Sequence, residues 1–247
     1  LGFNVRASKI IPIIASGGSA PPLPIALGSS FYISVSPRYC TSDVNHLVPC
    51  NNGDPITSWY EQVSKTWFTW ATVGGAGAKP IFVASGSSYS ANFATNGAFP
   101  FPNMWPQGDV SIVMKFTPQA QVGHYLGEGS DSGNRPYTFY RSTTTGVLQR
   151  FNTGPSWTLT NGESSVLSYQ GSGTSPTSTE KTRLNGGAWS TVSNTRPSRS
   201  GTSATVAVGI GGAGAGRFTN FKALSISPFV QPDANFTAIE SFIDSIP

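Results

Sequence analysis

Few residues in this chain are placed to do chemistry, and those few are scattered. Ser-His-Asp catalysis needs a histidine base beside an exposed nucleophile, and only His46 and His124 exist. No nucleophile-elbow pattern stands near either. Glu163, Glu180 and Glu240 are isolated in the sequence, the pattern of surface carboxylates. Asp131-Ser132-Gly133-Asn134 offers some oxygen donors, but calcium needs several clustered ones and a single turn does not supply them. Cys40 and Cys50 bracket TSDVNHLVP, which holds one histidine. That is too few ligands for zinc, whereas one disulfide between the two would clip the loop in an oxidising compartment. The expectation is therefore no catalytic residue, no metal and no cofactor, with Cys40–Cys50 as a candidate disulfide.

Aromatic side chains carry what chemistry is left. Trp67, Phe68 and Trp70 stand in what reads as a polar loop, and Trp105 and Trp157 lie beside proline or glycine. Exposed rings stack on sugar faces or anchor protein interfaces, while buried ones close the ends of a core. Trp67, Trp70 and Trp157 are candidate contacts for a glycan or a partner. Trp59 and Trp189 are expected in the core. The glycine runs at 73–78 (VGGAGA) and 211–216 (GGAGAG) lack the strand-loop-helix context of a phosphate cradle and read as hairpin loops.

The elements that must position these residues are strands. Over 247 residues the chain has 38% apolar residues, with fifteen Phe, eight Tyr and six Trp, enough for a sizeable core. Charged residues are only 11%, against roughly 25% in an average soluble domain. Solubility must come from Ser, Thr, Asn and Gln, as is common in secreted, cell-surface and virion proteins. The net charge of +4 is dispersed, which excludes the clustered basic face of a nucleic-acid binder. No apolar run approaches the ~18 residues of a membrane helix.

Short extended runs bounded by Gly, Pro or Asn recur along the chain, a pattern of sandwiches and barrels. Residues 31–36 (FYISVS) alternate, and 109–116 (DVSIVMKF) puts Val110, Ile112, Met114 and Phe116 on one face. Leu184-Asn185-Gly186-Gly187-Ala188 predicts a tight hairpin, because Asn-Gly accepts two positive φ angles. Helical periodicity is confined to the end, where Phe236, Ile239, Phe242 and Ile243 share a face. Asp233 or Asn235 is placed to cap that helix. Residues 1–30 read as an extended arm and linker before a domain over 31–247.

The order of motifs resembles the concanavalin A-like lectin/glucanase superfamily, in particular laminin-G-like jelly-roll modules of bacterial surface and bacteriophage structural proteins. Gly53-Asp54-Pro55-Ile56-Thr57-Ser58-Trp59 resembles their G-D-x-[VI]-x-x-W strand, followed by Lys79-Pro80-Ile81-Phe82-Val83 and Tyr89-Ser90-Ala91-Asn92-Phe93. Residues 109–118, the 183–188 hairpin and 217–226 resemble the later strands. The polar loop departs from the family pattern, reading Tyr60-Glu61-Gln62-Val63-Ser64-Lys65, so no ligand site transfers with the fold. Glycosidases of the superfamily carry paired carboxylates as E-x-D-x-x-E on one strand. The nearest match here, Glu128-Gly129-Ser130-Asp131, has the wrong spacing.

The resemblance implies an all-β antiparallel jelly roll with one C-terminal helix. Its implied function is a non-enzymatic bacteriophage virion subunit (head-decoration, fibre or tail-associated) at the particle surface. Such a subunit would be a homo-oligomer that docks on capsid or tail proteins through Arg6, Lys9, Ile10 and Ile11. The alternative is a carbohydrate-binding adhesin or lectin module. Neither nucleic acid nor membrane insertion is expected.

Overall fold

The structure is a computed structural model that describes residues 22–71, 78–93, 98–101, 108–118, 123–128, 139–141, 147–150, 156–172, 177–195, 206–208 and 218–247. Arg6, Lys9, Ile10, Ile11, Trp105, Asp131 and the 211–216 glycine run lie outside these residues. The chain begins with α1 (Leu23–Ala26), β1 (Phe31–Ser34), β2 (Cys40–Thr41), β3 (Ser58–Glu61), β4 (Thr66–Thr69), β5 (Ile81–Ser85), β6 (Ser88–Asn92) and β7 (Phe99–Phe101). It continues with β8 (Val110–Pro118), β9 (Gly123–Glu128), β10 (Phe139–Arg141), β11 (Val147–Arg150), β12 (Ser156–Thr158) and β13 (Ser165–Ser172). The last elements are β14 (Thr177–Leu184), β15 (Ser190–Thr195), β16 (Val206–Val208), β17 (Phe218–Ser227) and α2 (Asp233–Asp244).

One sheet runs β15-β14-β13-β8-β17-β6-β5, with β1 also paired to β17. A second runs β12-β11-β10-β9-β16-β7, and a small third sheet is β2-β3-β4. The described strand pairs are antiparallel. β17 is the hub of the large sheet. It pairs with β8 on one side through residues 218–219 and 223–227, while on the other Phe221 meets Ala91 of β6 and residues 223–226 meet β1. The exchange of neighbours happens where the register shifts between Thr219 and Ala223, with Asn220 at φ 53°. A bulge of this kind bends a strand and frees it to change partners.

β8 shows why both faces of this sheet are dry. Val110, Ile112, Met114 and Phe116 point into the core between the sheets, as the sequence alternation requires. Val113, on the other face, packs with Phe236, Ile239 and Ile243 of α2. Burying each such side chain contributes about 1.5–3 kcal/mol. The polar residues of that second face find partners within the layer. Lys115 donates to the Asp244 carbonyl and, at 2.9 Å, to the Ile246 carbonyl, while its ammonium lies 3.5 Å from the Asp244 carboxylate. A buried cation thus meets the negative end of the α2 dipole.

α2 starts differently from the sequence expectation. Pro232 is the N-cap, and neither Asp233 nor Asn235 makes a capping side-chain bond. Proline fixes φ and Asp233 still favours the positive helix end, so the start holds without a side-chain cap. Residues 22–30 lie on this same face. Ile25 and Leu27 pack against the α2 cluster, Ser29 bonds Ser225 at 2.8 Å, and the Gln231 amide donates to the Leu27 carbonyl at 2.8 Å. Gly28 has φ +87°, and a β-carbon there would sit 3.1 Å from the Phe229 ring, so this crossing needs glycine.

The open edge of β1 is closed by one side chain. Glu61 is fully buried. Its carboxylate accepts the backbone N–H of Tyr32 at 2.7 Å, of Val63 at 3.0 Å and of Ser64 at 2.6 Å. The Gln62 N–H completes the pairing by donating to the Tyr32 carbonyl at 2.9 Å. Hydrogen bonds to a buried charge are worth about 1.5–3 kcal/mol each. Glu61→Gln turns an amide N–H toward these donors, and a urea melt at neutral pH should show a loss of about 2–4 kcal/mol. A loss under 1 kcal/mol would mean the edge is closed by other contacts.

Candidate functional site

The register of the small sheet sorts its aromatics into two rows. Cys40 pairs with Trp59 and Trp59 with Phe68, so these three face one way. They face the core, where Trp59 is wholly buried and its indole N–H donates to the Ser34 carbonyl at 3.1 Å. Trp59 makes edge contacts with Phe99, Phe101 and Phe221 at centroid distances of 5.5, 6.0 and 5.7 Å. One position along, Tyr60 pairs with Trp67 and its N–H donates to the Tyr39 carbonyl at 2.8 Å. Strand alternation then puts Tyr39, Tyr60 and Trp67 in a row on the opposite, outer face.

The rings of this outer row touch in sequence. Tyr39 and Tyr60 are nearly parallel, 6.0 Å apart with an 11° interplanar angle. Tyr60 and Trp67 lie 5.3 Å apart and tilted by 58°. His46 extends the row from the loop between β2 and β3, its ring 4.9 Å from Trp67. All four are half-buried, and Val44, Leu47 and Val48 stand exposed in the same loop. The result is an aromatic strip open to solvent along one side.

Asp43 shapes the loop that delivers His46. Its carboxylate accepts the N–H groups of Asn45, Leu47 and Val48 at 2.9–3.3 Å. Burial pulls this carboxyl upward, but those N–H bonds win and hold it below its usual range. His46 takes φ 64°, and its Nε2 is shielded without a hydrogen-bond partner among the described residues. Burial lowers its pKa below 6.5, with the Asp43 charge opposing. Burial thus favours the neutral imidazole.

Of the three tryptophans singled out in the sequence, only Trp67 belongs to this strip. The segment 66–69 is strand β4, not a loop, so Trp67 and Trp70 point to opposite faces. Trp70 packs on the core and its indole N–H donates to the Ala98 carbonyl at 2.8 Å. Trp157 is half-buried against the core, its indole nitrogen unpartnered among the described residues. Trp189 packs under α2, 5.3 Å from Phe236, and not between the sheets. Tyr39, Tyr60 and His46 were missed. The signal was present in the near-mirror order Trp59-Tyr60 … Trp67-Phe68 about a four-residue turn.

Cys40 and Cys50 are free, buried thiols in this structure, so the expected clip is not closed. Burial pushes both thiols up, Cys50 to about 12. Of the three glutamates expected at the surface, Glu163 is exposed and the other two are not. Glu180 and Glu240 are buried. Arg183 donates to both oxygens of Glu240, through Nε at 2.7 Å and through Nη2, and the Ser168 hydroxyl donates to Oε1. The guanidinium lies 4.3 Å over the Trp189 ring. A groove of about 340 Å³ opens beside this pair, lined by Ser164, Asn185, Thr237 and Asp244 among others. Among the described residues, no three His, Cys, Asp or Glu side chains gather as a metal site.

No family model matches the chain, and no curated protein matches it in sequence. Solved structures do match, in fold. Domain 4 of AbnA, a GH43 extracellular arabinanase from Geobacillus stearothermophilus bound to arabinotriose, is 12% identical over 86% of this chain and 98% of its own, with a TM-score of 0.55. A Trypanosoma rangeli sialidase is 11% identical over 89% of this chain, with a TM-score of 0.54. A GH54 α-L-arabinofuranosidase is 14% identical over 76%, with a TM-score of 0.52. The matched region spans only 34% of the sialidase chain and 50% of the arabinofuranosidase chain. These likenesses show the fold: an antiparallel β-sandwich of the concanavalin-like, jelly-roll type.

Two outcomes follow from the geometry. A histidine that folding holds below its unfolded pKa supplies stability that is complete above about 6.5 and declines as pH falls toward the folded value. Protonation of His46 should quench Trp67 fluorescence with a midpoint below 6.5, and His46→Gln should remove that transition. A midpoint above 6.5 would contradict the burial of the ring. For the ion pair, Glu240→Gln strands a buried guanidinium and should cost about 3–5 kcal/mol in denaturant melts. The Arg183→Met/Glu240→Met double variant should recover most of that, whereas a double loss equal to the single one would assign Glu240 another partner.

Proposed function

We propose that this protein is a non-enzymatic carbohydrate-binding module that receives sugar rings on the Tyr39–Tyr60–Trp67–His46 strip. The observation that carries the reading is the strip itself, a continuous row of half-exposed rings on β3, β4 and the segments flanking β2. The C–H faces of a pyranose or furanose are apolar and stack on aromatic faces, which bury them from water. The successive tilts of 11°, 58° and 40° make the strip twisted, so it suits a short or helically wound oligosaccharide better than a flat ribbon.

The fold likeness to an arabinotriose-bound domain supports a glycan as ligand, and α-linked arabino-oligosaccharides are the first probes to try. A non-catalytic role is supported by what the buried carboxylates do. Glu61 serves backbone N–H groups and Glu240 serves Arg183, so both act in the scaffold. The second reading, a bacteriophage virion subunit, is favoured by the charge-poor surface and the resemblance of motif order. The two are compatible, since a virion protein with a glycan strip is an adhesin. Cryo-electron microscopy of a particle carrying the chain would test that assignment.

Glycan-array binding followed by titration calorimetry tests the module. Trp67→Ala should weaken a hit at least tenfold, equivalent to about 1.4 kcal/mol, with a thermal midpoint close to that of the parent. Trp70→Ala should instead lower the midpoint, because its indole is tied into the core. Absence of saturable binding by the folded parent on the whole array, or a Trp67→Ala variant that binds as well as the parent, would sink the proposal.

A further inference from the structure

The geometry points to Cys40 and Cys50 as a reversible dithiol switch that closes the loop bearing His46. The two residues face each other directly. Cys50 N–H donates to the Cys40 carbonyl at 3.0 Å, Ser42 N–H donates to the Val48 carbonyl at 3.0 Å, and Thr41 bridges Pro49 between them. Cys40 and Cys50 are therefore opposite members of a hydrogen-bonded antiparallel pair. Both are buried in the same core cluster, so their sulfurs lie on the same side. The nine residues between them, Thr41 to Pro49, include His46 and the exposed Val44, Leu47 and Val48.

Distance sets the character of this switch. Opposite residues of such a pair have α-carbons about 5.5 Å apart, within the range a disulfide spans. Their β-carbons, about 5 Å apart, must close by about 1 Å to reach disulfide geometry. The bond can form without rebuilding the sheet, yet it stores strain, and strained disulfides are the readily reduced, regulatory ones. Because both thiols are buried, exchange requires the loop between them to open and expose Cys50.

The exchange balances with a disulfide oxidant such as oxidised glutathione. The Cys50 thiol loses its proton and attacks one glutathione sulfur, breaking that disulfide and expelling one glutathione thiolate. The Cys40 sulfur, also deprotonated, then attacks Cys50 in the mixed disulfide and expels the second. Two electrons and two protons pass from the protein to the glutathione pair, which leaves as two thiols. Closure fixes both ends of the loop and so presents His46 to Trp67 with less freedom. This last consequence rests on the proposed glycan strip.

The test uses the full chain equilibrated without oxygen across mixtures of reduced and oxidised glutathione, then acid-quenched, unfolded, alkylated and weighed. The expected product is two hydrogens lighter and takes no alkyl group. It appears with one midpoint inside the glutathione series and is reversed by dithiothreitol. Cys50→Ser should accumulate at most a single glutathione adduct. The parent chain alone decides the matter, whatever the variant's folding. Two cysteines alkylated throughout the series, glutathione adducts as the only product, or a closed form that dithiothreitol cannot reverse under native conditions would overturn the switch.

Titrating a glycan hit against the closed and open forms separates this proposal from the strip. Affinity should rise about two- to tenfold on closure, the scale of removing loop ordering from the binding cost. Equal affinities would overturn the control of the loop. A disulfide that forms in a chain binding no glycan leaves the switch and removes the strip as its target. Glycan binding with no disulfide removes the switch alone.

Discussion

Trp59 is the point on which the architecture turns. It lies on the small sheet, yet its ring is buried among phenylalanines from β7 and β17, one from each large sheet. Its indole nitrogen, which could not be buried unpaired at tolerable cost, is satisfied by the Ser34 carbonyl at the end of β1. One side chain thus joins all three sheets. Because strand side chains alternate, fixing Trp59 inward forces its neighbour Tyr60 outward. The register then carries Tyr39 and Trp67 outward with it. The aromatic strip is in this sense the reverse side of the core.

Several of the chain's few charges tie its elements together. Glu61 closes the β1 edge, Lys115 meets the end of α2, Arg183 and Glu240 bind α2 to β13 and β14, and Asp43 folds the His46 loop. A buried charge contributes only when its partners are in place, so each of these fixes a relative position more than it adds stability. Exposed charges such as Arg38, Lys65, Glu163 and Asp233 are spread along the chain among neutral hydroxyl and amide groups.

Where one strand's own pattern decides its fate, the sequence was legible. β8 alternates over its whole length and lies as expected. The Asn185-Gly186 turn takes its two positive φ angles, 51° and 67°, and Gly187 N–H donates to the Leu184 carbonyl. The α2 stripe is buried through Phe236, Ile239 and Ile243. β4 was read as a loop because its four residues, Thr66 to Thr69, are strand only in the company of β3. Pairing register is non-local, and a slip of one residue would have exchanged Trp67 with Phe68. The carboxylates failed for the same reason: nothing near Glu61 or Glu240 in sequence shows that Tyr32 or Arg183 will be its partner.

The Arg183–Glu240 groove invites a catalytic reading that its hydrogen bonds oppose. An acid, a base or a nucleophile must keep an electron pair or a proton free toward the reacting atom. Both Glu240 oxygens already accept from Arg183, and one accepts from Ser168 as well. The serine hydroxyl is directed at a carboxylate and so donates its proton inward. Arg183 is further held by Trp189 and Phe236, rings that stack on its guanidinium. The bonds of Glu240 to Arg183 and Ser168 thus fix α2 against the sheet. The outer strip is the converse case, because its residues meet ring against ring and stay half-exposed.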